Sequence, residues 1–137
     1  MPRRKRLRRI VAPPGFKGYR PYGSRHRGNP HVELLYEEYE AIKLADYDLM
    51  THEEASGMMG ISRATFARIY ESARRKIARA LVETREIRSV YGNAWFDKSW
   101  YVCNRCHARF TIPEEFGSKE CPMCRSEDYK PVNHIAT

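Results

Sequence analysis

The sequence predicts a mainly α fold, a helix-turn-helix bundle with a long third helix, followed by a small C-terminal β unit. Three observations predict it. Apolar residues recur at three- and four-residue steps between residues 35 and 81, the spacing of a buried helix stripe. Gly60 interrupts that pattern between two helix-capping residues, Thr51 and Ser62. All four cysteines fall in the last third as two Cys-x-x-Cys pairs, in a segment too short to fold on apolar burial alone. A chain of 137 residues with 42% hydrophobic composition holds one modest core and a satellite. The boundaries read as a basic, Pro/Gly-rich N-terminal arm over 1–30, a helical domain over 31–93 and the cysteine unit over 94–137.

The net charge of +8 points to a polyanionic partner. No run of about 18 apolar residues exists and the N-terminus lacks a signal-peptide stretch, so a soluble, cytoplasmic chain with no membrane partner is expected. The charge is uneven. Residues 1–32 hold ten Lys or Arg and no acid, and residues 33–54 set eight acids against Lys43. Residues 55–98 then set nine basic residues against four acids, and the remainder has five of each. A polyanion can meet the first and third segments and is expected to avoid the second, where Glu37, Glu38 and Glu40 read as a solvated helix face.

In the arm, Arg3, Arg4, Lys5, Arg6, Arg8 and Arg9 precede Pro13-Pro14-Gly15, a composition that disfavours regular structure. Such arms track phosphates or lie in a groove. Phe16, Tyr19 and Tyr22 are expected to pack onto the domain, with stacking on bases the other use for them.

After Pro30, Leu35, Tyr39, Ile42 and Ala45 form the stripe of a first helix that stops near Asp46-Tyr47-Asp48. Thr51 and Glu54 then make a capping box that opens a second, short helix. Gly60 ends it, and Ser62 caps a third helix running through Phe66, Ile69, Tyr70, Ala73, Ile77 and Leu81. Two helices joined by a tight glycine turn make a helix-turn-helix. Small Ser56 suits a close helix crossing, and Ala55, Met59, Ile61, Phe66 and Ile69 face the shared core.

With Phe66 inward, Ala64, Ala67, Arg68, Glu71, Arg75 and Arg79 point outward. Ser62, Arg63, Ala64, Ala67 and Arg68 are then what a recognition helix presents to base edges in a major groove. Arg63 and Arg68 have the fork that chelates guanine O6 and N7, while Ala64 or Thr65 offers a methyl to thymine. Ser62, Arg74, Arg75 and Lys76 are better placed for phosphate. A plain three-helix bundle needs the same stripe and the same turn, so the basic outer face is what favours DNA.

Pro2-Arg3-Arg4, the stretch from Glu38 to Asp46, Glu53-Glu54-Ala55, the block Met59-Gly60-Ile61-Ser62-Arg63-Ala64-Thr65-Phe66 and the stretch from Ser72 to Val82 resemble domain-of-unknown-function family 134, predicted DNA-binding proteins of bacteria and archaea. The resemblance covers roughly Pro2 to Asn93. It implies a sigma-factor region-four-like helix-turn-helix with an unbroken third helix, in regulators, and brings no assigned operator, ligand or catalytic residue. The family's usual Gly-Lys after the long helix is Thr84-Arg85 here. Ile87 to Tyr91 reads as a short strand.

Cys103-Asn104-Arg105-Cys106 and Cys121-Pro122-Met123-Cys124 have the spacing of a four-thiolate zinc site. Disulfides suit a secreted chain instead, and a rubredoxin-like iron site takes the same ligands. Short strands are expected at Trp100–Val102, Arg109–Ile112 and Tyr129–Val132, the layout of a zinc ribbon, which the segment resembles. Four cysteines close the tetrahedron, so one structural zinc is expected and not a catalytic one. His107 reads as a surface residue beside the site.

The residues therefore point to a sequence-specific DNA-binding transcriptional regulator, its third helix in the major groove of double-stranded DNA and its arm on backbone or minor groove. The alternatives are an RNA- or ribosome-associated binding protein and an adaptor that holds RNA polymerase through the ribbon. The sequence does not fix the oligomeric state: one such motif gains specificity either from a second copy, as a homodimer, or from extra arms. No nucleophile–base pair, Gly-rich phosphate loop or paired acidic site stands out, so no enzyme is expected.

Overall fold

A computed structural model describes residues 7–23, 29–112 and 119–132. The N-terminal segment gives two short strands, β1 (Arg8–Arg9) and β2 (Gly18–Tyr19). Strand β3 (Val32–Leu35) runs straight into α1 (Tyr36–Ile42), which continues as a π-helical turn over Lys43–Tyr47. Helices α2 (His52–Met59) and α3 (Arg63–Val82) follow. Then come β4 (Ile87–Val90), β5 (Ala94–Trp95), β6 (Tyr101–Cys103), β7 (Arg109–Phe110) and β8 (Tyr129–Pro131). Three helices beside three small sheets make a mixed architecture, where the sequence predicts a mainly α one. Strands β4, β6, β7 and β8 fall where the sequence places strands, whereas β1, β2 and β5 are two residues long, too short to leave a periodic signal.

The sheets show why residues 7–23 are not a free arm. Strand β1 pairs in parallel with β5, placing Arg8 opposite Ala94 and Arg9 opposite Trp95. In the second sheet β4 is central, antiparallel to β2 and parallel to β3. Ile10 is fully buried in the main core, and Pro13 and Pro14 are buried too. Composition marks this stretch as irregular, yet buried Ile10, Pro13 and Pro14 together with the pairing of β1 and β2 anchor it. Residues Arg3, Arg4, Lys5 and Arg6 lie outside the described residues.

The first helix is shorter than its sequence pattern predicts. Val32 and Leu34 alternate with Glu33 as one buried face of β3, a period of two that begins before the helical period does. Within α1 the buried residues are Tyr36, Glu37, Glu38, Glu40 and Ala41, whereas Leu35, Tyr39, Ile42 and Ala45 are half-buried. The stripe is displaced because three carboxylates occupy the inner face, which a hydrophobic pattern does not reveal.

Around the turn, sequence and structure agree closely. The Thr51 hydroxyl accepts from the Glu54 N–H, and Glu54 Oε1 accepts from the Thr51 N–H. Gly60 takes the left-handed conformation at φ 66°, with the Ile61 N–H bonded to Ser56 O at 3.1 Å and the Gly60 N–H bonded to Gly57 O. Those two bonds are a Schellman closure, and its left-handed residue favours glycine, which carries no Cβ penalty, at position 60. Ser62 caps α3 by accepting from the Thr65 N–H at 3.1 Å. Phe66, Ala73 and Ala80 form the buried line of α3, packed against α1 and α2.

One core holds Ile10, Tyr36, Ala41, Leu44, Ala55, Met59, Phe66, Ala94, Phe96 and Val132. Ala94 and Phe96 thus belong to the helical unit, and the third sheet, in the order β7-β6-β8, contributes Val132, with Trp100 and Val102 packed alongside. No helix among the described residues is long and apolar enough to cross a membrane.

Candidate metal centre and nucleic-acid interface

The third sheet exists to hold two sharp turns together. Cys103 ends β6 and Cys106 closes the first turn, where the His107 N–H bonds to Cys103 O at 3.0 Å. The second turn repeats this, with the Arg125 N–H on Cys121 O at 2.8 Å. His107 and Arg125, each next after the second cysteine of its pair, both adopt the left-handed conformation, at φ 64° and 62°. Asn104 ties the turns to each other, its N–H on Asp128 O at 3.0 Å and its side-chain amide on Asp128 Oδ1 at 2.9 Å.

These turns bring the four Sγ atoms within 4.8 Å of one another. The Cys103–Cys124 and Cys106–Cys121 sulfurs are 3.5 and 3.6 Å apart. A disulfide requires about 2.05 Å, whereas a tetrahedron with metal–sulfur bonds of about 2.3 Å has edges of about 3.8 Å. All four thiols are free. The backbone N–H of Cys106 and that of Arg105 point at Cys103 Sγ and hold its thiol down to about 6. Cys106 moves the other way, up to about 12: the Ala108 N–H favours its thiolate, but burial and the three neighbouring sulfurs outweigh it. Sulfurs this close cannot all ionise unless a cation sits among them, so the donor set fits one thiophilic metal ion. His107 is exposed and takes no part in the cluster.

On α3 the outer face is as the helical period predicts. Ser62, Arg63, Ala64 and Arg68 are exposed in the first turns, and Arg74, Arg75 and Arg79 continue the exposure along the helix. Three of the expected anion contacts are engaged within the protein. The Ser62 hydroxyl is committed to the cap, donating to Thr65 Oγ1 at 2.9 Å as well as accepting from its N–H. Lys76 Nζ lies 2.7 Å from Glu38 Oε1, a carboxylate only 4% exposed in its side chain. Arg9 binds Asp97 through Nε at 2.8 Å and through a second nitrogen, and also reaches Met58 O. Arg75 pairs with exposed Glu71 one turn back, and Arg74 sits 5.3 Å over the Tyr70 ring.

Comparison with known proteins places this arrangement. The family model described as "Protein of unknown function DUF134" matches residues 1–95. The chain belongs to this family. It is 36% identical over all of its 137 residues to a "UPF0251 protein" of Chloroherpeton thalassium, covering 91% of that protein. A "UPF0251 protein" of Methanothermobacter thermautotrophicus is 40% identical over 97% of this chain and 69% of its own length. Another, from Pelotomaculum thermopropionicum, is 39% identical over 96% of this chain and 99% of its own. No solved structure matches. The family model ends at the β5 strand, while these full-length likenesses run on through the cysteine turns.

The family member's inner acids are what the sequence reading misses. Glu38 accepts from the Leu35 N–H at 2.8 Å, from Ser72 Oγ at 2.6 Å and from Lys76. Glu37 accepts the Asn93 N–H at 2.9 Å, and Glu40 the Val11 N–H at 2.6 Å. They are 4%, 3% and 1% exposed for Glu37, Glu38 and Glu40, so these three acids form an internal clamp and not the solvated helix face that the sequence predicts, while Glu33, Asp46, Asp48, Glu53 and Glu54 stay exposed. Partners 29 to 56 residues away leave no local signal.

Proposed function

We propose that the protein is a sequence-specific DNA-binding transcriptional regulator, a helix-turn-helix made by α2 and α3 whose recognition helix enters the major groove. The observation that carries this reading is the exposed first turns of α3, with Arg63, Ala64 and Arg68 following a tight left-handed turn. Small residues between the arginines let the backbone approach base edges, and each arginine fork can bind one guanine. Arg75 and Arg79 lie further along the same face for phosphates. Lys76 is spent on Glu38 and Arg9 on Asp97, so neither supplies the main phosphate contact. The acidic clamp strengthens the case, because it withdraws carboxylates from the surface that DNA would approach. Zinc is the ion assigned to the four cysteines, as a structural element of a ribbon that leaves no ligand position open for catalysis.

Selection from random duplex DNA is the test, and it should return a defined motif. Arg68→Ala and Arg63→Ala should each weaken that motif by about tenfold to a hundredfold, and random DNA much less. Arg75→Ala should weaken both alike and lower the salt dependence by about one phosphate. A selection that yields no motif, or equal losses on both sequences for Arg63 and Arg68, overturns the reading.

A further inference from the structure

We propose that the cleft between the ribbon and the N-terminal segment is a binding site for an organic phosphate, a small molecule bearing a phosphate monoester. The cleft encloses about 290 Å³, at the lower end of the roughly 300–1,000 Å³ usual for small-molecule sites. Its polar lining is cationic and comes from separate segments. Lys17 precedes β2, Arg109 opens β7 and Lys130 lies in β8, with His107 beside them. Among the described residues no carboxylate lines it, and none of the ion pairs involves Lys17, Arg109 or Lys130. Elsewhere in the molecule the cations at Arg9, Lys43 and Lys76 each have an acid. Gathering three fixed positive charges around one hollow is unfavourable unless an anion shares it.

Arg109 supplies an independent observation. Its Nη1 donates to His107 O at 2.8 Å, but its Nε is buried with no acceptor among the described residues. A guanidinium donor left unpaired is costly, and a rotation of the Arg109 side chain toward the cleft would bring it to an oxygen of a ligand bound there. Three cations match a phosphate monoester, which carries about −1.5 to −2 at neutral pH, better than a single carboxylate. Tyr36, Tyr91 and Val102 add apolar surface to the same lining, so the phosphate carries an organic group and is not the inorganic ion alone. Bound there, the ligand joins the ribbon to the sheet that flanks α1. The site is independent of the DNA-binding reading, because none of its residues lies on α3.

Calorimetry on the full-length, metal-loaded chain tests it without DNA. Adenosine monophosphate and phenyl phosphate are the probes, with adenosine and inorganic phosphate as controls. At least one of the two probes should bind, adenosine should not, and inorganic phosphate should bind more weakly than that probe. Lys17→Gln and Lys130→Gln, both at exposed positions, should each weaken binding by about tenfold with an unchanged melting temperature in the absence of ligand. Arg109→Lys keeps the charge but loses Nε, and should weaken it as well. No binding of either probe at millimolar concentration overturns the proposal, as does binding that survives both lysine substitutions. Binding lost on Arg75→Ala instead assigns the anion to α3 and overturns it too.

Discussion

Glu40 is the residue at which burial and charge are least reconciled. It is 1% exposed, and of its two carboxylate oxygens one accepts the Val11 N–H while the other, Oε1, is buried with no partner among the described residues. Burial pushes its proton affinity above the ordinary 4.5, Asp48 adds to the effect, and the Val11 N–H, Lys43 and Arg9 oppose it. The native state therefore holds this proton more tightly than the unfolded chain does. Stability from Glu40 is complete below pH 4.5 and is lost as pH rises through the higher native value. Glu40→Gln keeps an acceptor for Val11 but cannot ionise. Denaturant unfolding of both proteins across the acid range should show the variant gaining on the wild type as pH rises from 4.5 to 7, and a difference that does not change with pH would exclude the charge as the cause.

At the scale of elements, the end of α3 shows how local backbone rules outlast a change of residue. Thr84 adopts φ 55°, and the Arg85 N–H bonds to Ala80 O at 2.8 Å, which is the Schellman closure seen at Gly60 but built on a β-branched residue. The family resemblance has glycine at this position, and the structure shows the turn forming without it. Left-handed geometry costs a residue with a Cβ about 1–2 kcal/mol. Thr84→Gly should therefore stabilise the fold by about 1 kcal/mol, after the added flexibility of the unfolded chain is offset. A lowered melting temperature would mean that the threonine side chain contributes packing that outweighs its strain. Elements of this kind were legible beforehand: the capping box at Thr51, the glycine turn, the Ser62 cap and the cysteine turns all depend on residues within five positions. Strands β1, β2 and β5 were not, because two-residue strands carry no period, and neither was the inner face of α1. Its carboxylates bond to Val11, Lys76 and Asn93, which only the tertiary fold brings near.

For the whole molecule the question is how far the cysteine unit and the helical unit stand or fall together. The ribbon has a small core of its own, Cys103, Phe110 and Cys121 with Tyr101 and Tyr129 packed against them. Two of those buried residues are candidate metal ligands, so without the ion little remains to bury. Metal binding in comparable small units is worth roughly 10–16 kcal/mol in apparent free energy, far more than this apolar cluster can replace. The helical core, by contrast, takes Val132 as its one buried member from beyond Phe96 among the described residues. Chelation of the bound ion should therefore remove hydrogen-exchange protection from 101–112 and 119–132 while α1, α2 and α3 keep theirs. Trp100 packs at the edge of the helical core, so its fluorescence should shift to the red in the same step. Cys103→Ser and Cys121→Ser should each reproduce the chelated state. Loss of helical circular dichroism in that same step would instead make the Val132 and Trp100 contacts part of a single cooperative fold, and unchanged protection over 101–112 and 119–132 would mean that the ribbon holds without metal.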